Sequence, residues 1–320
     1  MIDRIIEISD TEAFLKARNR LLVVTGQDGN NITIPFSEIG VLLLSNPAIS
    51  LTLPVLSNLL SSGGMAVITD RRFLPAGMVI PLASHFIQTE RLALQSNVSL
   101  PVKKRCWLQI VKAKVNYQAA LLNLLHGSDK GLIQMAGKVK SGDPENVESQ
   151  AAQRYWKHIF NDPSFRRRRG AEDQNRLLNY GYTVLRAAAA RAVCSVGLHP
   201  SISLHHHNRY DQFCLASDLM EPFRPLVDHA TFEIVKSKGA ESPLDKETKA
   251  ALAGTMHDKV LLAGEMISAF QALTSLSSSL VEVFSNKGGR LTLPDSLFSK
   301  RKPKRKGSSQ SRKSKSKTGF

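Results

Sequence analysis

Short aliphatic runs separated by turn signals fill the first hundred residues, and helical spacing takes over near Pro101. IDRIIEI, RLLVV, NITIPF and IGVLLLS are rich in Ile, Val and Leu and predict strands. GQDGNN, at 26–31, lies between two of them and predicts a hairpin. LPVLSNLLSS, at 53–62, has helical spacing and stops at Gly63-Gly64, and MAVITD, at 65–70, predicts a further strand. The sum is a small sheet or sandwich with one covering helix.

From Lys103 the apolar period is helical, with Trp107, Ile110, Val111, Val115, Leu121, Leu122 and Leu125 on one face, closed by His126-Gly127. Gly142-Asp143-Pro144 predicts a helix start, with Asp143 as N-cap and Pro144 in first position. That helix would carry Glu148, Ala151, Ala152, Tyr155 and Trp156. Residues 172–196 and 249–284 predict two further long helices. The expected class is α+β: a β-rich, sandwich-like domain over 1–100, a larger all-α catalytic domain over 101–290, and a basic, disordered tail over 291–320.

Composition narrows the partners. The hydrophobic share is 42% and the charged share 22%, ordinary for a globular protein with a sizeable core. No apolar run is long enough to span a membrane, and MIDRIIEISD does not read as a secretory signal. Cys106, Cys194 and Cys214 form no C-x-x-C pair, which fits a reducing cytoplasm. The formal charge is +16, but ten Lys and Arg and no acid lie between Lys300 and Lys317, and without them it falls to +6. Such a tail is a solvated segment, a sequence-blind arm that neutralises phosphates, or both.

The segment SLHHHNRYDQFCLASDLMEPFRPLVD, at 203–228, holds the candidate chemistry. Its histidine cluster, His205 to His207, precedes Asp218 and Glu221. Those acids are three apart, so on a helix they share one face with Cβ atoms roughly 5–6 Å apart. Histidine and carboxylates converging on one point can hold a hard divalent cation with positions open to substrate oxygens. An acidic pocket on a basic chain points to a polyanionic substrate, DNA first. Asp218 and Glu221 sit among Phe213, Leu215, Leu219, Met220 and Phe223, and a carboxylate in such company needs a partner. A metal, a solvent-filled cleft or an ion pair with Arg224 would each serve. Pro222 disfavours α geometry at Glu221 and predicts a kink there. Glu148 is the third candidate carboxylate, against a plain solvated glutamate. The run Arg166, Arg167, Arg168 and Arg169 is either a solvated loop or a phosphate clamp, and with Arg224 it supplies the candidate DNA contacts. No P-loop or G-x-G-x-x-G follows a strand.

Four blocks in order, VESQAAQRYW (147–156), NRLLNYGYTVLRAAAARAV (175–193), GLHPSISLHHH (197–207) and LASDLMEPFRPLVD (215–228), resemble Cas1, the CRISPR-associated integrase-nuclease family. The likeness is to the type II form, whose effector is the single protein Cas9, and it covers roughly residues 1–290. The resemblance implies that Glu148, His206, Asp218 and Glu221 are catalytic and bind the metal, Mg2+ or Mn2+. In the family a glycine precedes the ligand histidine by three residues. Ser203 stands in that place here, which points to His206, with His205 and His207 flanking it. The resemblance further implies a dimer built through the β-rich domain, and a complex of two such dimers with a dimer of the partner Cas2. That complex would join the 3′-hydroxyl ends of a DNA duplex to phosphodiesters at the edges of a CRISPR repeat. A stand-alone structure-specific nuclease and a non-catalytic DNA-binding scaffold are the competing readings.

Overall fold

The computed structural model describes residues 4–9, 12–70, 75–81, 85–168, 170–206 and 210–298. The basic stretch from residue 299 onward, Arg169 and His207 lie outside the described residues.

The first part of the chain forms β1 (Arg4–Ile8), β2 (Phe14–Arg18), β3 (Leu21–Thr25), β4 (Asn31–Pro35), β5 (Ile39–Leu44), β6 (Ser50–Leu51), α1 (Leu53–Ser61), β7 (Met65–Thr69) and β8 (Pro75–Val79). The strands make two four-stranded sheets, ordered β1-β5-β7-β8 and β4-β3-β2-β6. In the first, β1, β5 and β7 run parallel and β8 antiparallel. The second is the meander β2-β3-β4 with β6 added parallel to β2. The GQDGNN turn closes as expected: Thr25 pairs with Asn31, and Gly29 takes φ +74°, where a side chain would be strained.

β5 is buried along its whole length, on both faces. Leu42 and Leu44, with Ala66 of β7, face Leu15 and Leu22 of the second sheet and Val55 and Leu59 of α1. Val41 and Leu43, with Met65 and Val67, join the core of the helical domain instead.

That domain contains α2 (Gln88–Ser96), α3 (Leu100–His126), α4 (Leu132–Lys138), α5 (Val147–Ile159), α6 (Asn175–Ser195), α7 (Cys214–Met220), α8 (Arg224–Lys238), α9 (Lys246–Gly254), a hairpin of β9 (Lys259–Leu262) and β10 (Glu265–Ser268), and α10 (Ala269–Ser285). The alanine-rich α6 runs through its middle and packs on α7, α8, α9, α10 and β5. Gly181 lets α8 close in, since a Cβ there would lie 2.4 Å from Cγ1 of Val227.

The α+β arrangement agrees with expectation, and three details differ. α2 starts well before residue 100 and belongs with the helices: it packs on α10, and its Gln95 amide bonds the carbonyls of His199 and Ile202. α5 begins at Val147 rather than Pro144, because Asp143 and Asn146 both take positive φ and turn the chain first. Asp143 still caps the helix from outside, each carboxylate oxygen accepting one amide, Val147 or Glu148, at 2.9 Å. The helix expected over 249–284 is broken by the β9–β10 hairpin, so the second domain is not purely helical. Ala263 and Gly264 both have positive φ, the two-residue turn that suits a hairpin. No helix among the described residues is long and apolar enough to cross a membrane.

Candidate active site

Five segments bring the side chains of the cluster together. α3 presents Trp107 and Lys114, seven residues apart and so on one face two turns apart. The first turn of α5 carries Glu148. α7 carries Asp218, and the 3-10 turn Glu221–Phe223 that joins α7 to α8 carries Glu221. The loop before α7 brings His206.

Lys114 sits between the two glutamates. Its Nζ lies 2.6 Å from Oε1 of Glu148 and 2.6 Å from Oε2 of Glu221. The Glu148 contact is an aligned hydrogen bond, whereas Glu221 Oε2 is buried and has no aligned donor. The other oxygen of Glu221 pairs with Arg224 Nη2 at 2.7 Å. Burial opposes the charge on Lys114, but Glu221 and Glu148 outweigh it and hold its pKa above the ordinary value. Burial likewise opposes ionisation of Glu221, and Arg224 and Lys114 override it, so the carboxyl is held low. Both groups are therefore charged at neutral pH, as a compact salt-bridged cluster.

Asp218 is fully buried and fully engaged. Its Oδ2 accepts the amides of Leu204 and His205 at 2.8 and 3.0 Å, and its Oδ1 accepts His206 Nδ1–H at 2.5 Å. That bond to Asp218 raises the pKa of His206 against the effect of burial. In the neutral ring that bond places the proton on Nδ1 and leaves the lone pair on Nε2, the arrangement by which a carboxylate orients a ligating histidine. The indole of Trp107 stacks on His205 with centroids 4.4 Å apart and meets the His206 ring edge-on at 5.1 Å.

Behind Glu221 lies a second layer. The Arg224 guanidinium sits 4.6 Å from the ring centre of Tyr182, and the hydroxyls of Tyr182 and Tyr155 both donate to buried Asp228, the latter at 2.7 Å. Burial pushes the Asp228 carboxyl up to about 6, against the pull of the two hydroxyls and of Arg224 and Arg167.

The expected residues divide by role. Glu148 and Glu221 converge, and the break expected at Pro222 is present as the 3-10 turn, although Glu221 itself keeps α geometry at φ −52° and ψ −45°. Asp218, expected as a ligand, has no exposed surface, and both of its oxygens are bonded to the histidine loop. Arg224, expected as a DNA contact, is turned inward to Glu221 and Tyr182. Arg167 is likewise engaged, with Asn175 at 2.9 Å and Asn179 at 2.7 Å, while Arg166 and Arg168 remain exposed. Lys114 and Trp107 are the site residues that reading the sequence for function missed. A lysine inside the apolar stripe of Ile110, Val111 and Val115 was the available signal.

Among the described residues no three His, Cys, Asp or Glu side chains are gathered as a metal-donor set. The chemistry of the cluster nevertheless suits a hard cation: two carboxylates already close on one positive charge, one of their oxygens is buried without an aligned donor, and an oriented imidazole stands nearby.

Known proteins with the same organisation are numerous. The chain is 33% identical over 287 residues to the CRISPR-associated endonuclease Cas1 of Neisseria meningitidis, covering 88% of this chain and 93% of that one. It is 25% identical to a CRISPR-associated endonuclease Cas1 of Pyrobaculum aerophilum, over 82% and 94% of the two chains. Among solved structures, a casposase bound to integration product superposes with a TM-score of 0.71 at 18% identity, over 92% of this chain and 94% of that one. The Cas1 protein of Thermotoga maritima does so with 0.62 at 15% identity, over 93% and 100%. A chain of a Cas6-RT-Cas1–Cas2 complex matches with 0.74 at 18% identity, over 94% of this chain and 36% of that one. The family model of the CRISPR-associated protein Cas1 matches residues 6–263, and the chain belongs to that family.

Proposed function

We propose that this Cas1 protein is a metal-dependent DNA endonuclease and integrase of the type II form, which inserts new spacers into a CRISPR array. The observation that carries this reading is the closure of Glu148 and Glu221 on one buried positive charge, beside a histidine aimed by a buried aspartate. Glu148, Glu221 and Nε2 of His206 are the donors that would hold Mg2+ or Mn2+. Bound there, the cation would neutralise phosphate charge and favour ionisation of an attacking hydroxyl.

The protein's own residues do the rest. Arg224 and Lys114 keep Glu221 ionised in a buried place. Asp218 holds the ring of His206, and Trp107 walls the histidine pair. In the reaction a DNA 3′-hydroxyl gives up its proton and bonds to a phosphorus at the repeat edge, while the phosphorus–oxygen bond to the neighbouring nucleotide breaks. One phosphodiester replaces another, so no external energy source is required.

The partners that fit are double-stranded DNA, as incoming fragment and as repeat, a second copy of this chain through the β-rich domain, and a Cas2 dimer. The relatives support them: one solved neighbour is a casposase on its integration product and another a complex containing Cas1 and Cas2. Action on a chromosomal array places the protein in the cytoplasm.

The test is strand transfer of a labelled 3′-hydroxyl duplex into a repeat-bearing plasmid, with the partner protein and Mg2+ or Mn2+. Joining is expected in the unaltered protein and is lost in folded Glu148→Gln, His206→Ala and Glu221→Gln. Metal-dependent cutting without joining would favour a stand-alone nuclease, and DNA binding with neither would favour a scaffold.

A further inference from the structure

Lys114 is a costly residue where it stands. Its side chain is 10% exposed on a helix whose buried residues include Ile110, Val111 and Val115. A lysine is retained in such a place only when its charge is matched. Here it is matched twice, by Glu148 from α5 and Glu221 from the turn before α8. Without it two carboxylates, one nearly buried, would face each other across a low-dielectric gap.

We propose that Lys114 is a built-in counter-cation: its ammonium fills the position a divalent cation takes between Glu148 and Glu221, and must leave it for the metal to bind. The inference rests on the metal-dependent reading of the site. Both contacts are 2.6 Å, so the ammonium stands where the two carboxylates converge. The ammonium is also the part of Lys114 that can move. A flexible four-carbon stem lets Nζ swing while the helix stays in place. Divalent metal and lysine then compete for the same two oxygens. If Lys114 occupies the place about 99 times in 100, the apparent metal Kd rises about a hundredfold. A DNA phosphate offers the displaced ammonium a new partner, so metal and DNA should bind with positive coupling, and each should raise the affinity for the other equally.

The experiment uses the full chain and Mn2+ alone, with free Mn2+ followed by its electron paramagnetic resonance signal. Lys114→Met removes the charge and keeps the stem, Lys114→Gln is the fallback should the first not fold, and Glu148→Gln reports whether the signal comes from this site. At least tenfold tighter Mn2+ binding is expected in Lys114→Met than in the unaltered protein, together with a lower Tm in EDTA that Mn2+ restores. Added duplex DNA should tighten Mn2+ binding to the unaltered protein more than to the variant. A purely structural lysine would lower Tm under every condition without tightening Mn2+. Equal or weaker Mn2+ binding by folded Lys114→Met or Lys114→Gln overturns the proposal and leaves the metal reading standing. Absence of Mn2+ binding by every form, with and without DNA, overturns both.

Discussion

At the scale of single residues, the cluster separates side chains that converge on one point from side chains that hold others in place. Asp218 belongs to the second kind, which sets its expected phenotype. Asp218→Ala strands the amides of Leu204 and His205 and frees His206, so a stability loss of roughly 1–3 kcal/mol is expected in urea denaturation. The conservative Asp218→Asn should fold better yet bind Mn2+ about 10–100-fold more weakly, as for other carboxylates that orient a ligating histidine. Unchanged metal affinity in Asp218→Asn would remove it from that role. Asp228 predicts a pH effect of its own. Its native pKa, about 6, lies above the ordinary 3.8, so the native state holds this proton more tightly than the unfolded chain does. The group's contribution is therefore favourable at low pH and is lost as pH rises between those two values. Asp228→Asn should flatten that descent in a plot of urea midpoint against pH. A midpoint difference between the two proteins that instead grows in favour of the unaltered protein with rising pH would show that the tyrosines and arginines stabilise the carboxylate. The residue types of Glu148, His206 and Glu221 marked them as candidates in the sequence, and the fold gathers them in one cluster. Lys114 was not legible, since a lysine on a helix is assigned to solvent until the opposing acids are in place. The contacts of Asp218 with the histidine loop were not legible, because an acid among Leu215, Leu219 and Met220 is as consistent with an anchor as with a ligand.

At the scale of elements, the strands, the hairpin and the long helices follow from local pattern, and the discrepancies arise where contacts far along the chain decide. α2 is polar enough to pass for a connector; only its packing on α10 and the hold of Gln95 on residues 199–202 place it with the helices. The segment over 249–284 keeps a plausible helical period, and the positive φ at Ala263 and Gly264 that breaks it belongs to a hairpin whose strands pair with each other and, at Leu261, with Ser296. The start of α5 matters most for chemistry. Asp143 receives the amide of Glu148 itself, so the cap and the candidate carboxylate share one turn. Asp143→Ala should cost about 1 kcal/mol of stability, the usual worth of such a cap. It should also weaken Mn2+ binding, measured as above; a stability loss with Mn2+ binding intact would mean that the turn is held by its other contacts.

At the scale of the whole molecule, charge and architecture set the behaviour toward DNA. With about six phosphates contacted, the logarithm of the binding constant should fall with that of salt at a slope near −5. Deleting residues 300–320, which carry ten of the positive charges, should make the slope shallower while strand transfer survives. Loss of joining in a folded deletion would give the tail a part in catalysis. The other large-scale feature is β5, which sends Leu42 and Leu44 into one core and Val41 and Leu43 into the other. Such a strand is a rivet rather than a hinge: to pull the sandwich from the helices would expose the inner halves of both. Heating should therefore find no seam between them, and a calorimeter should record one melting event, with van't Hoff and calorimetric enthalpies equal, where a chain of two independent bodies would give two.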